Sequence, residues 1–377
     1  LTRSGWKRHE TLTTEDWVAT WDDETGTLEW QQPTEIQRFL HDGPMHHWSG
    51  ARVDFLCTPE HRIYRGNKRG TWEMKTSAEH AMERGWYQWR ITGGGHQGEI
   101  QTVIIPPHIS QRPTQRPDDD GPITLNVEAF AYFLGIFVAE GWVGKDHRVE
   151  ISQNDGPKAD RMRAALVDLD LGPVTERHRV TPYGSTNGEY RVIHQGLAAW
   201  LREEVGVGAR HKHLPEDVFD WPRAAQERLL DGLMDGDGTL DPNGAERYGT
   251  ASERLADDVQ RLLIIMGYPA TKHTGTSRKT PLWMVLTRRQ ERPIKRGNAA
   301  LATVGDYGDD AAWMREIVYT GTVWCLTVKN GLFFTRRNGR VVCHGNSNRS
   351  TIQAAEFLFA AHVVVPRLEI TRALFQE

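Results

Sequence analysis

Cysteine is scarce in this chain: there are 3 in 377 residues, Cys57, Cys325 and Cys343, widely spaced and without a Cys-x-x-Cys pair. That argues against a disulfide framework and against a structural zinc site. Long apolar runs are missing as well. No stretch reaches the ~20 residues that span a bilayer, and no charged-then-apolar leader opens the sequence. A cytoplasmic protein with no membrane partner is the expectation. Charge of one sign is equally lacking, with Lys+Arg 46 against Asp+Glu 50 and a net charge of -4. A nucleic-acid partner would need basic residues gathered on one face rather than an overall positive charge. What is present, 38% hydrophobic and 25% charged residues, suits a globular chain long enough for two or three domains.

Residues 1–110 read as β-rich. Short runs such as Asp16–Trp21, Thr27–Gln31, Val53–Cys57, Tyr87–Ile91 and Glu99–Ile105 are separated by Gly, Asp and Asn turns. The proline-bearing stretch 111–122 reads as a linker. Residues 123–305 then switch to helices alternating with hairpins, in two half-units of about 123–220 and 221–305. One opens with FAYFLGIFVAEG (Phe130–Gly141), the other with ERLLDGLMDGDG (Glu227–Gly238). Each continues into a strand or hairpin ending in ISQND or YGTAS. A helix follows, with Met162, Ala165, Leu166 and Leu169 on one face in the first copy and Val259, Leu262, Leu263 and Met266 in the second. These helices are expected to stop at Leu171-Gly172 and Met266-Gly267. β character returns over 311–346, and 347–377 is a helical pattern unlike the rest. A domain inserted within another produces this order.

The two unit-opening helices carry the sharpest chemical signal. In LDGLMDGDG, Gly232 and Gly236 stand a turn apart, and small residues there let two helix backbones approach closely. Asp237 stands at the end of that helix, and Glu140 holds the same place in FLGIFVAEG. This pair resembles the LAGLIDADG homing endonucleases, closely in the second copy and in degenerate form in the first. The resemblance implies that the helices pack on a pseudo-twofold axis and that Glu140 and Asp237 hold Mg2+. Acids at two helix C-termini are electrostatically disfavoured, which also argues for a compensating cation. Bound there, Mg2+ would serve phosphodiester cleavage of a double-stranded DNA target. HKHLPEDV (His211–Val218) resembles the Lys-x-hydrophobic-Pro element of intein endonucleases and implies a role for Lys212 at the scissile phosphate. Hairpins in the major groove would read the target, with Arg177, Arg179, Arg191, Lys272, Arg278 and Lys279 as candidate contacts.

The flanking β regions hold a second constellation. FLCTPEHRIY (Phe55–Tyr64) contains Thr58-x-x-His61, and VWCLTVKNGLFFTRRNGRVVCHGNS spans Val323–Ser347. With LTRSGWKRHETL at the start, these resemble the splicing motifs of inteins, whose β-rich HINT domain is interrupted by the endonuclease. The resemblance implies that Thr58 and His61 bind and protonate an upstream amide, a task suited to an imidazole. Ser347 would attack the resulting ester, and Asn346 would cyclise on its own carbonyl, a slow step made feasible by proximity. Splicing of the flanking extein segments needs no cofactor.

Three departures from the intein pattern stand out. Gly345 precedes Asn346 where a histidine is usual, so the assisting role falls to His344, one step back. A histidine often found in the preceding strand pair is not evident near Gly331–Phe334. No Cys or Ser begins the sequence as upstream nucleophile, so either that residue precedes Leu1 or Cys325 serves. Cys325 remains a candidate for nucleophilic or proton-transfer work, against the alternative of a small buried strand residue. The tail from Ser347 has a Ser-Asn-Arg opening, Ala-Ala-x-Phe and Val-x-Pro-x-Leu, and it resembles bacteriophage portal proteins. That implies a C-extein at 347–377, a phage gene and a bacterial host cytoplasm. The expectation is a monomeric intein with an embedded endonuclease; the alternatives are a splicing-inactive endonuclease or a portal fragment carrying an inert insert.

Overall fold

The computed structural model describes residues 1–67, 69–83, 85–107, 122–145, 147–180, 186–242, 244–276, 281–289, 301–305 and 312–346. The linker at 111–122, all but its last residue, and the tail at 347–377 lie outside the described residues. Six α-helices occur among them: α1 (Ser77–Met82), α2 (Val127–Glu140), α3 (Pro157–Leu169), α4 (Gln195–Glu204), α5 (Arg223–Asp237) and α6 (Glu253–Ile265). No described helix is long and apolar enough to cross a membrane.

Strands from the two ends of the chain share sheets. One four-stranded sheet runs Thr27–Gln31, Val18–Asp22, Leu332–Arg337, Arg340–Gly345. Its last two strands form a hairpin whose turn residues Asn338 and Gly339 have φ of 46° and 76°. Asn-Gly is the pair such a turn prefers, because both positions need positive φ. A second, three-stranded sheet pairs Glu35–Ser49 with Trp313–Thr327 in unbroken antiparallel register from Trp313↔Ser49 to Thr327↔Glu35, and adds Asp54–Cys57. The strand Glu35–Ser49 is not among the runs expected from the sequence, and it passes through His41-Asp42-Gly43-Pro44, which has the composition of a turn. Pro44 is tolerated there because the third strand pairs only with His46–Ser49, which leaves the proline on an unpaired flank.

Between these ends lies a duplicated unit. Each copy runs helix, two strands, helix, two strands: α2 and α3 in the first, α5 and α6 in the second. The strand orders are the same. The first sheet is Gly141–Val143, Arg148–Asn154, Thr186–Ile193, Thr175–Val180, and the second is Gly238–Leu240, Glu246–Thr250, Pro281–Thr287, Ala270–Thr276. α2 is buried on every side from Phe130 to Val138, as a helix apolar all round must be. It starts cleanly because Asn126 accepts hydrogen bonds from the Glu128 and Ala129 N–H groups. α6 ends as expected, with Gly267 at φ +85°. α3 does not end at Leu171-Gly172 but at Leu169, where Asp170 takes the left-handed cap conformation (φ 46°). Aspartate tolerates that region because its short polar side chain bonds locally.

The β unit and the second copy are in close contact. A Cβ on Gly94 would lie 3.3 Å from the Gly267 Cα, and the Lys272 N–H donates to the Gly339 carbonyl at 2.9 Å. Asp257 and Gln260 of α6 hold Arg336, which lies over the Trp6 ring.

Candidate active sites: a carboxylate pair and a histidine pair

α2 and α5 cross at glycines. A Cβ on Gly135 would sit 3.0 Å from the Gly232 Cα and overlap the Leu229 carbonyl oxygen. A Cβ on Gly232 would overlap the Tyr132 carbonyl in the same way. At the end of the pair, a Cβ on Gly236 would fall 3.3 Å from the Glu140 Cγ. Glu140 closes α2 and Asp237 closes α5, so the two carboxylates come together where both helices present unpaired carbonyls.

Lys212 sits beneath them. Its ammonium donates to the carbonyls of Phe137 (3.0 Å), Ala139 (3.4 Å) and Gly141 (2.8 Å) at the end of α2. These three acceptors match its three donors. The sequence reading put Lys212 at the scissile phosphate; here its donors are committed to backbone, so it acts on the acids through its charge. Burial pulls its pKa down to about 8 against the pull of Asp237 and Glu140. Burial, then the charge of Glu140, pushes the Asp237 carboxyl up to about 6, with Lys212 opposing. Tyr248, 2% exposed, stands beside this group, and its hydroxyl has no hydrogen-bond partner among the described residues.

Two carboxylates crowded at a site of negative potential suit a divalent cation. No group of three or more His, Cys, Asp or Glu side chains among the described residues is placed to hold a metal ion by itself. Mg2+ is ordinarily held by one or two carboxylates with waters and substrate phosphates, and this donor set fits it.

Asp235, which the sequence reading passed over, ties the halves together. It accepts from Tyr132 Oη at 2.7 Å and from Arg161 through both Nε and Nη2 at 2.8 Å. Its distance in sequence from Arg161, which comes from α3 of the other copy, hid that role. Two expected DNA contacts are corrected. Lys272 is 8% exposed and paired with Asp257 (2.6 Å) and Glu253 (3.3 Å), and Arg191 is held by Glu150 (2.9 Å) and Glu189 (2.6 Å). Both cations are engaged by acids of their own unit rather than presented to a groove. Arg177 and Arg179 are exposed on the strand Thr175–Val180. Arg278 and Lys279 lie outside the described residues.

The second site gathers residues from both ends of the chain. His61 Nε2 and His344 Nδ1 are 3.0 Å apart, and His344 Nε2 meets Thr335 Oγ1 at 2.9 Å. The rings of Phe55 and Phe333 pack on His344 at 4.7 and 4.3 Å between centroids. Burial pulls the His61 imidazole down to about 4, and burial plus the neighbouring His61 depresses His344 well below its ordinary value. Both are neutral at pH 7. Thr58 accepts the His61 N–H through its carbonyl at 3.1 Å.

The Leu1 nitrogen is buried too. It donates to the Phe334 carbonyl at 3.2 Å. Asn346 is fixed on both sides of its side chain. Its Nδ2 donates to the Val328 carbonyl at 2.9 Å and its Oδ1 accepts the Val328 N–H at 3.3 Å. Cys325 packs with Leu12, Val18, Val328 and Phe333, its Sγ 3.6 Å from the Leu326 carbonyl, as a small apolar side chain would. Cys57 and Cys343 are buried; burial pushes the Cys57 thiol up to about 12 and raises that of Cys343 as well. Ser347 lies outside the described residues.

Residues 224–296 match the family model described as a LAGLIDADG-like domain. Across the chain, similarity extends to an ATP-dependent Clp protease proteolytic subunit of Chlamydomonas moewusii, 24% identical over 278 residues, 72% of this chain and 27% of that protein. A DNA-directed RNA polymerase subunit beta C-terminal section of Stigeoclonium helveticum is 23% identical over 405 residues, 93% of this chain and 36% of that protein. A replicative DNA helicase DnaB of Mycobacterium intracellulare is 29% identical over 147 residues, 36% of this chain and 25% of that protein. The chain therefore spans between 25% and 36% of the length of these three relatives. Among solved structures, variants of the homing endonuclease I-DmoI align with a TM-score of 0.32 at 15% identity, over 43% of this chain and 89% of theirs. Full-length WhiA from Thermatoga maritima aligns with a TM-score of 0.32 at 15% identity, over 42% of this chain and 50% of that chain. Similarity that low fixes no residue correspondence.

Proposed function

We propose that the chain is an intein: it excises itself from a host protein, joins the flanks, and carries a homing endonuclease that cuts double-stranded DNA. The observation that carries the splicing half is the meeting of His61 with His344, two residues before Asn346, while the Leu1 nitrogen bonds the Phe334 carbonyl of the neighbouring strand. The histidines and Asn346 lie in or next to strands whose sheets, two different ones, each combine segments from before and after the two LAGLIDADG-like copies. The relatives support the same reading. A protease subunit and a polymerase section have unrelated tasks, yet they share most of this chain while it covers only 27% and 36% of them. A segment common to such different proteins is an insert rather than the seat of either activity.

In this reading a Ser or Cys precedes Leu1 and carries the upstream flank on its own nitrogen. An upstream Ser or Cys side chain attacks the carbonyl preceding its own nitrogen, forming an ester or thioester and freeing an amine. His61, neutral and inside the β unit, relays the proton to that leaving nitrogen, with His344 and Thr335 continuing the chain. Ser347 Oγ then displaces the ester, joining the flanks through its own oxygen. The Asn346 side-chain nitrogen attacks the Asn346 carbonyl carbon, and the bond to the Ser347 nitrogen breaks as that nitrogen takes a proton. The Val328 backbone holds the Asn346 amide and limits its rotamers, which favours ring closure. The freed Ser347 amine takes the acyl group from Oγ, leaving an ordinary peptide bond.

For the endonuclease half, Glu140 and Asp237 would hold Mg2+, which when bound activates water and neutralises charge at the leaving oxygen. Lys212 limits the negative potential of the empty pair, and the glycine crossing keeps the two acids in register.

The test is expression with native flanking segments, read by mass. Joined flanks plus free insert are expected, and Asn346→Ala should leave the insert attached. A precursor that keeps its full mass sinks the splicing half. Plasmid nicking with Mg2+ should vanish in Asp237→Asn, and undiminished nicking refutes the role given to that acid. A cut plasmid with an unspliced precursor would leave an endonuclease alone.

A further inference from the structure

The two copies of the duplicated unit differ at one buried position beside the acid pair. In the first copy the residue after Glu140 pairs across the sheet with Ile151 (Gly141↔Ile151). In the second copy the residue after Asp237 pairs with Tyr248 in the same register (Gly238↔Tyr248). Both side chains are 2% exposed. An isoleucine there needs no polar partner, whereas a buried tyrosine hydroxyl does, and such hydroxyls almost always find one. This one has none among the described residues. It stands beside Asp237 and Glu140, across the sheet from the residue that follows Asp237. A buried donor left unpaired beside two carboxylates is explained by an acceptor that arrives with a ligand.

We propose that Tyr248 is a positioning residue whose hydroxyl donates a hydrogen bond to a water in the shell of a divalent cation held by Glu140 and Asp237. This rests on the acid-pair reading given above. Mg2+ and Mn2+ keep several of their waters when bound by carboxylates, so an oxygen acceptor comes with the ion. Hydrogen bonds from outside the ligand set orient such oxygens and tune affinity. Because Ile151 offers no donor in the first copy, the two sides of the pair are unequal, and the Asp237 side holds its water more firmly.

The experiment uses the whole, metal-free protein without DNA, titrated with Mn2+ while free Mn2+ is followed by electron paramagnetic resonance. Tyr248→Phe should bind Mn2+ on the order of tenfold more weakly than the native chain. In EDTA the same variant should melt no lower than the native chain, because it only removes an unpaired buried hydroxyl. A purely structural tyrosine would leave Mn2+ binding untouched, and that result overturns the proposal. Asp237→Asn separates the two levels. If it weakens Mn2+ binding while Tyr248→Phe does not, only the tyrosine's role falls. If Asp237→Asn changes nothing, the acid-pair reading falls and this proposal with it. A tyrosine absorption change on adding Mg2+ to the native chain, missing in Tyr248→Phe, checks the same contact without relying on the variant's affinity.

Discussion

Replacing Asp237 by Asn should make the metal-free protein more stable at pH 8. Burial and Glu140 hold the folded carboxyl at about 6, against an ordinary value of 3.8. An acid with a raised folded pKa favours folding while protonated, and that contribution is lost as the pH rises through the folded value. Below about pH 4 the carboxyl is protonated in both states, and Asp and Asn behave alike. The difference opens between about pH 4 and 6 and is complete above that. A separation of about two pH units corresponds to roughly 3 kcal/mol at about 1.36 kcal/mol per unit. The Asp237 side chain is exposed on one flank, so screening reduces the expected gain to about 1 kcal/mol. Urea unfolding followed by tryptophan fluorescence, at several pH values in EDTA, measures it. Millimolar Mg2+ should then reverse the order, because a cation that binds only the folded pair stabilises the native chain and not the variant. A variant no more stable than the native chain at pH 8, or a difference that persists unchanged to pH 4, would refute the reasoning.

Gly232→Val should destabilise by roughly 1–3 kcal/mol in urea unfolding, since its side chain must enter the Tyr132 carbonyl on the facing helix and neither backbone can yield. The same variant should lose Mn2+ binding, because the glycine crossing is what brings the acids together. Lys212→Met should cost about 1–3 kcal/mol by stranding buried carbonyls at the end of α2. It should also move the Asp237 midpoint above 6, as Lys212 is the charge holding it down; NMR titration of the carboxyl reads this directly, and a midpoint that falls or stays would contradict it.

The division between what could be read and what could not follows the range of the interactions. Period-3.6 apolar faces, the duplicated helix-and-hairpin order, and the glycines of α5 are local patterns, so the sequence alone yields the duplicated α/β unit and marks Glu140 and Asp237. Local composition can also hide a strand. His41-Asp42-Gly43-Pro44 has the composition of a turn, and only pairing with Trp313–Thr327, far along the chain, makes it a strand. The state of each site residue was likewise settled by distant partners. Lys212 is spent on carbonyls of α2, Lys272 on acids of α6, and Asp235 on an arginine from the other copy. Residue type announces what a side chain can do. Whether its donors are free is decided by what folding brings within about 3 Å of them, and desolvation at that range outweighs any preference written locally.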